Sequence, residues 1–185
     1  MKKFLTLKNI IICAAAFVGL VVFFLSFAVQ AQLKGTEAGH DMLVKIVNSV
    51  WGATEGRTYV DGKFQIAMAL DGGVSALPIL GFIFVLVGAI GAVLVAILVK
   101  KPFAKWIILW FGVLALLGGV FQFFGGQSAY AAYAKSLGTT VEKAKEYLAS
   151  EGVKANPGAL GVILGILSIL VGGAFGVAAL LPEKK

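Results

Sequence analysis

Four stretches of the chain, at about residues 9–33, 77–99, 106–125 and 159–181, run without Asp, Glu, Lys, Arg or His. Each reaches the ~20 residues that an α-helix needs to cross the hydrocarbon core of a bilayer. The polar segments between them are of two kinds. The short ones, at 1–8, 100–105 and 182–185, hold eight lysines (Lys2, Lys3, Lys8, Lys100, Lys101, Lys105, Lys184, Lys185) against one acid, Glu183. The long ones, at 34–76 and 126–158, hold eight basic and eight acidic residues and sum to zero. The net charge of +7 therefore sits entirely on the short segments. Basic residues in short loops beside membrane spans mark the cytoplasmic face. The pattern predicts a single four-span membrane domain over residues 1–185, with both termini cytoplasmic and the two long segments as outer loops.

Composition agrees with that class. The chain is 59% hydrophobic and 14% charged, with a mean hydropathy of +0.96, far from the balance of a soluble domain. The basic character does not point to nucleic acid, because the lysines are split among membrane-flanking clusters with no basic stripe or stacking motif. Anionic lipids of the inner leaflet are the partner these clusters suit. The one cysteine, Cys13, lies inside the first apolar run, so an intrachain disulfide is ruled out. No glycosylation sequon occurs, since Asn48-Ser49-Val50 fails and Asn156 precedes Pro157; this fits a bacterial plasma membrane. Met1-Lys2-Lys3 and Val29-Gln30-Ala31 resemble the ends of a cleavable signal peptide. The apolar run between them exceeds the ~7–15 residues of such a segment, which favours an uncleaved anchor; cleavage would leave three spans.

Two alignments suggest related hairpins. A shift of 84 lays Leu80, Gly81, Val87, Gly88, Lys100 and Lys101 on Leu164, Gly165, Val171, Gly172, Lys184 and Lys185, and a shift of 97 lays Lys8 and Gln30 on Lys105 and Gln127. Apolar composition alone also produces such matches.

Within a bilayer, helices associate through close packing of small residues, because lipid tails are as apolar as leucine. Gly161, Gly165, Ser168, Gly172 and Gly176 are spaced to form one stripe on the fourth span, with Val171 and Ala178 off it. Gly88 and Ala92 form a similar face on the second. These are the expected helix-packing positions, within the protein or between copies in a homo-oligomer. Trp106 and Trp110, with Lys100, Lys101 and Lys105, fit interface anchors at the inner membrane surface.

In the first long segment, residues 58–66 predict a hairpin, with β-branched and aromatic flanks around Asp61-Gly62, a pair suited to a type I′ turn. Trp51, Tyr59 and Phe64 are the candidate partner surface there. Residues 36–50 also fit a helix, since Met42, Leu43, Ile46, Val47 and Val50 recur at helical spacing. In the second, Thr139-Thr140-Val141-Glu142 reads as a capping box and Gly152 as a helix stop, Tyr130 to Leu137 extend the third span, and Asn156-Pro157-Gly158 turns into the fourth. The expected fold is an all-α integral membrane protein: a four-transmembrane-helix bundle with a small outer hairpin or sheet in the first loop and a short helix in the second. This layout, with Trp51-Gly52 in the first loop, resembles the claudin-like four-span proteins in topology. The Gly-Leu-Trp motif and paired cysteines of that family are missing, so the resemblance is one of architecture and implies no function.

No chemistry is spelled out. The spans contain no ionisable group of the kind that marks ion-coupled transport; Gln122 and Ser168 are their main polar residues. His40 stands alone beside Asp41, and no nucleophile elbow, zinc-protease or phosphate-loop motif occurs. No catalytic, cofactor-binding or metal-binding residues are predicted. The expectation is a non-catalytic scaffold or accessory subunit that meets a protein partner through its outer loops. The alternative is a small channel or transporter component conducting through an oligomer, for which a hydrophobic pore needs no charge.

Overall fold

The structure, a computed structural model, describes residues 6–70, 72–99 and 103–181. Lys2, Lys3, Asp71, Lys100, Lys101, Glu183, Lys184 and Lys185 lie outside the described residues. Among the described residues four helices are long and apolar enough to cross a membrane: Leu7–Ala28, Ala76–Leu98, Ala104–Ser136 and Ala159–Leu180. Their α-helical parts are α1 (Leu7–Leu25), α2 (Ala76–Leu98), α3 (Ala104–Gln122) and α6 (Ala159–Leu180). A 3₁₀ turn at Phe123–Gly125 joins α3 to α4 (Gly126–Ser136), and α5 is Val141–Ser150. Five strands complete the described residues: β1 (Ala31–Glu37), β2 (His40–Val47), β3 (Glu55–Val60), β4 (Lys63–Ala69) and β5 (Lys154–Pro157). The protein is therefore not purely all-α.

The chain divides into two units. One gathers most of α1, α2, α3 and α6; the other comprises Leu25–Ile79 and Phe121–Ile163.

In the helical unit burial follows a seven-residue repeat. On α6, buried positions fall in the rows Gly161/Ser168/Phe175, Leu164/Val171/Ala178 and Gly165/Gly172/Ala179, the a, d and e pattern of a core-facing helix. The buried face is thus wider than the glycine stripe, and Val171 and Ala178 belong to it. Gly176 is only half-buried, with open space where a Cβ would stand. Ser168 is buried but donates to its own helix, at Leu164 O (2.7 Å). Gly161 belongs to the other unit, beside Val29 and Pro157.

Two glycine contacts order the packing around α3. A Cβ at Gly172 would stand 2.6 Å from Gly112 O, and one at Gly119 would stand 2.7 Å from Gly165 O. The pairs 112/172 and 119/165 keep one antiparallel register, a heptad apart. On another side of α3, a Cβ at Gly118 would meet Gly81 O at 2.5 Å and one at Gly88 would meet Phe111 O at 2.9 Å. Backbones approach this closely only where side chains are absent. At Gly19 of α1 an added Cβ would stand 2.9 Å from the Ala89 Cβ, so α1 and α2 also pack closely through small residues.

The exposed rows of these helices are apolar and bulky. On α2, Leu80, Ile83, Val87, Ile90, Leu94 and Ile97 are exposed, while Ala89 and Ala92 are fully buried. A helix in water reverses this order of polarity. Burial also separates the two supposed hairpin copies: the shift of 84 lays Leu80, 40% exposed, on Leu164, 0% exposed, and Val87, 44%, on Val171, 2%. The aligned glycines Gly81/Gly165 and Gly88/Gly172 are buried in both spans.

The second unit is built on one antiparallel sheet of order β4-β3-β2-β1-β5. Several expected boundaries move. The first span ends at Ala28, and residues 31–33 lie in β1. Here burial alternates, with Ala31 and Leu33 inside and Gln32 and Lys34 outward, so two glutamines already mark a strand inside the apolar run. Residues 36–50 are not helical but turn between β1 and β2 at Ala38-Gly39, where φ is +50° and +84°. The Asp61-Gly62 turn has φ of +47° and +77°, as a type I′ hairpin requires.

The second long segment holds the expected short helix and the expected extension of the third span, and adds a strand. Helix α4 continues the third span to Ser136, and residues 154–157 form β5 beside β1 rather than a plain turn. Helix α5 is capped by Thr140, whose Oγ1 accepts from Lys143 N–H at 3.4 Å, so the cap is one residue later than the capping box implies. It stops at Gly152, φ +70°. Ala129 and Ala132 of α4 and Leu148 of α5 pack with Ala31, Leu33 and Ile46 of the sheet as its core.

Candidate interaction surface

Strand pairing decides which side chains share a face. Leu33 lies opposite Val44 and Ala155, and Ile46 opposite Gly56; these line the core side under α4 and α5. The same side continues across β3 to Ile66 and Met68 of β4, which lie opposite Thr58 and Gly56. There the cover ends, and Ile66 and Met68 are 54% and 55% exposed. All seven residues of β4 are exposed.

The two edges of the sheet are treated differently. Strand β5 is four residues long and ends in Pro157, which has no N–H to offer. Its Ala155 N–H donates to the Tyr130 hydroxyl at 3.3 Å. A short, proline-ended, covered edge is how proteins guard against added strands. Strand β4 is longer, has no proline and is uncovered; its guards are Lys63 at its first position and one register irregularity at Gln65.

On the opposite side of the sheet Tyr59 and Phe64 meet edge to face, ring centroids 5.8 Å apart. Lys45 Nζ lies 4.7 Å from the Tyr59 ring centroid. Arg57 donates to Glu55 through Nε (2.8 Å) and Nη2 (3.1 Å), which holds the Glu55 carboxyl below its ordinary range, chiefly through those hydrogen bonds.

The two hairpin tips are tied by Asp61. Its Oδ2 lies 2.7 Å from His40 Nδ1, its Oδ1 accepts from Asp41 N–H (3.0 Å), and its own N–H donates to Asp41 O (2.9 Å). The hydrogen bond with His40, then that from Asp41 N–H, keeps the Asp61 carboxyl below the usual carboxylate range. His40 therefore stands in a bridge between two turns. Among the described residues no three His, Cys, Asp or Glu side chains gather as a metal site.

Of the residues expected to form a partner surface, Tyr59 and Phe64 come together and Trp51 sits elsewhere. The Trp51 indole N–H donates to Ser26 Oγ (2.7 Å), and its ring stacks on Phe27 at 5.3 Å. Trp106 and Trp110 are 59% and 69% exposed on one face of α3, with Lys105 Nζ 5.6 Å from the Trp106 ring centroid. The helix-packing glycines Gly88, Gly165 and Gly172 stand at backbone contacts, and Ala92 is fully buried. Sequence reasoning missed Ile66 and Met68; the register irregularity opposite Thr58 and Tyr59 puts Phe64 on the other side of the sheet, so the period-2 spacing of Phe64, Ile66 and Met68 does not mark one face. No known protein family matches the chain, and no curated protein matches it in sequence. The resemblance to claudin-like proteins thus has no family match behind it.

Proposed function

We propose that the chain is a plasma-membrane protein with four spans and cytoplasmic termini, whose extracytoplasmic sheet unit docks an extended segment of a partner protein, making it a non-catalytic scaffold or accessory subunit. The apolar exposed rows of the helices and the lysines of the short segments support the membrane placement and its direction. The observation that carries the docking role is the contrast between edges: β5 is short, proline-ended and covered, whereas β4 is exposed at all seven residues, with Ile66 and Met68 uncovered beyond a single bulge at Gln65. An open edge supplies main-chain hydrogen bonds to an added strand, and alternate side chains supply specificity.

The test is site-directed photo-crosslinking in native membranes. A photoreactive residue at Gln65 or Ala67 should give a discrete protein adduct, lost in the double variant Ile66→Lys, Met68→Lys. One at Lys143 on α5 should not. Absence of an adduct from every β4 position, or equal adducts from Lys143, would overturn the docking role.

A further inference from the structure

The register of the sheet brings four cations together on the side away from α4 and α5. Lys34 lies opposite Lys154, and Lys45 opposite Arg57. Read across the strands, one row is Asn156, Gln32, Lys45, Arg57, Ala67 and the next is Lys154, Lys34, Leu43, Tyr59, Phe64. The two rows hold four basic residues and no acid. Like charges placed directly opposite each other weaken a strand pair, and this sheet does so twice. Folding does not require it: Gln32 and Asn156, opposite each other in the next row, fill equivalent outward positions with neutral groups.

The charges are little compensated within the protein. Arg57 is paired with Glu55 from the adjoining row and Lys45 lies over Tyr59. Among the described residues neither Lys34 nor Lys154 has an ion pair. Because segments 34–76 and 126–158 balance to zero overall, these two rows are a local concentration of positive charge, bordered on the same side by Glu55 in one adjoining row and Asp41 in the other.

We infer that this face binds an acidic polypeptide segment, with carboxylates over Lys34, Lys154 and Lys45 and an apolar side chain against Leu43, Tyr59 and Phe64. The inference goes beyond the docking role proposed above, because this face is the side of the sheet away from Ile66 and Met68 and the bound segment crosses the strands instead of pairing with β4. The second row runs from two lysines into an aliphatic and two aromatic side chains. A phosphate polymer or a lipid headgroup matches the lysines but has nothing to set against the rings, whereas a peptide supplies both. At ~4.8 Å between strands the five-residue row spans about 19 Å, the length of roughly six extended residues.

The experiment uses the full-length protein in nanodiscs of neutral phosphatidylcholine and a fluorescent octapeptide carrying three Glu followed by Phe-Leu. Binding should weaken with salt and fall about tenfold in the double variant Lys34→Gln, Lys154→Gln, the loss of two exposed charge contacts. Phe64→Ser should weaken binding with the salt dependence retained. The double variant should melt at or above the wild-type temperature, since it removes a like-charge pair, so lost binding with undiminished stability is the expected signature. Four results would overturn the inference: equal affinity in the double variant; equal binding of the peptide with Gln for Glu; binding of inorganic polyphosphate, or of anionic lipid in the disc, without binding of the peptide; or a change of oligomeric state in the double variant with peptide affinity unaltered, which would make a second copy the occupant. Peptide failure with β4 adducts intact removes only the acidic chemistry, while loss of both removes the docking role as well.

Discussion

Adding one methyl group at Gly172 tests the packing of α3 against α6 at their tightest backbone contact. A Cβ there would stand 2.6 Å from Gly112 O and 2.8 Å from Leu116 N, both backbone atoms of α3. Ordinary contact begins near 3.4 Å, so α6 must withdraw from α3 by about 0.8 Å, the difference between those distances. A gap of that size forfeits roughly a quarter to a half of the dispersion energy of each pair it opens. Overpacking by a single methyl typically costs about 1–3 kcal/mol, and a shifted backbone belongs in the upper part of that range. Gly176→Ala is the matched control, since nothing lies within 4 Å of the added atom; it should be neutral, or stabilising by up to about 1 kcal/mol through helix propensity. Thermal melts in detergent should place Gly172→Ala several degrees below wild type and Gly176→Ala at or above it. Gly112 faces Gly172, so the double variant Gly112→Ala, Gly172→Ala should cost less than the sum of the singles, the first methyl having already opened the gap. Equal melting of Gly172→Ala and Gly176→Ala would show that α3 and α6 do not meet at this pair.

Three further outcomes follow from the sheet unit and the proposed topology. Ala38 holds φ +50° in the β1–β2 turn, a region that costs most L-residues about 1–2 kcal/mol but that asparagine tolerates; Ala38→Asn should therefore raise the stability of the unit by about 0.5–1 kcal/mol, read as slower amide exchange in β1 and β2, and faster exchange would contradict the turn. The Asp61 carboxyl titrates below its ordinary value, so its bridge contributes fully above the normal Asp range near ~3.9 and is lost as pH falls through the depressed value. Exchange of the Asp41 amide should rise through that acid window in the wild type and show no such step in Asp61→Asn; an identical step in the variant would remove Asp61 as its source. Cysteines replacing Lys63 and Lys145 should react with an impermeant thiol reagent on intact cells while one replacing Lys105 is shielded, and labelling at Lys105 from outside would reverse the topology.

What the sequence disclosed, and what it concealed, follows from the range of the interaction involved. Helix existence was legible because about twenty apolar residues in a row leave few alternatives, and the Asp61-Gly62 hairpin because both its turn residues tolerate positive φ. The β1–β2 hairpin was hidden for the converse reason. Its turn is Ala38-Gly39, and Ala38 occupies a left-handed conformation that its side chain does not advertise. The first span was read too long since Ala31 and Leu33 are as apolar as a helix requires, although they are buried by the sheet core. On α6 the glycine stripe identified Gly165 and Gly172, yet the buried face also takes in Val171 and Ala178, because a helix with neighbours on several sides buries a wider arc than one row of small residues.

The interaction surface was the least legible part, and its two halves were hidden differently. Ile66 and Met68 alternate as a strand's buried side should; that they stay uncovered depends on where α4 and α5 end over the sheet, which no local pattern records. The Lys34–Lys154 pair depends on β5 joining β1 across more than a hundred residues of chain. Each lysine alone looks like a solvated surface charge, and the two outer segments balance to zero when summed along the sequence. Only the register sorts the same charges by face, gathering lysines and Arg57 on one side of the sheet. The electrostatic character that would select a partner is thus a property of strand pairing, and a variant that slipped β5 by one residue would turn Lys154 toward the core side and abolish the pair without changing the composition at all.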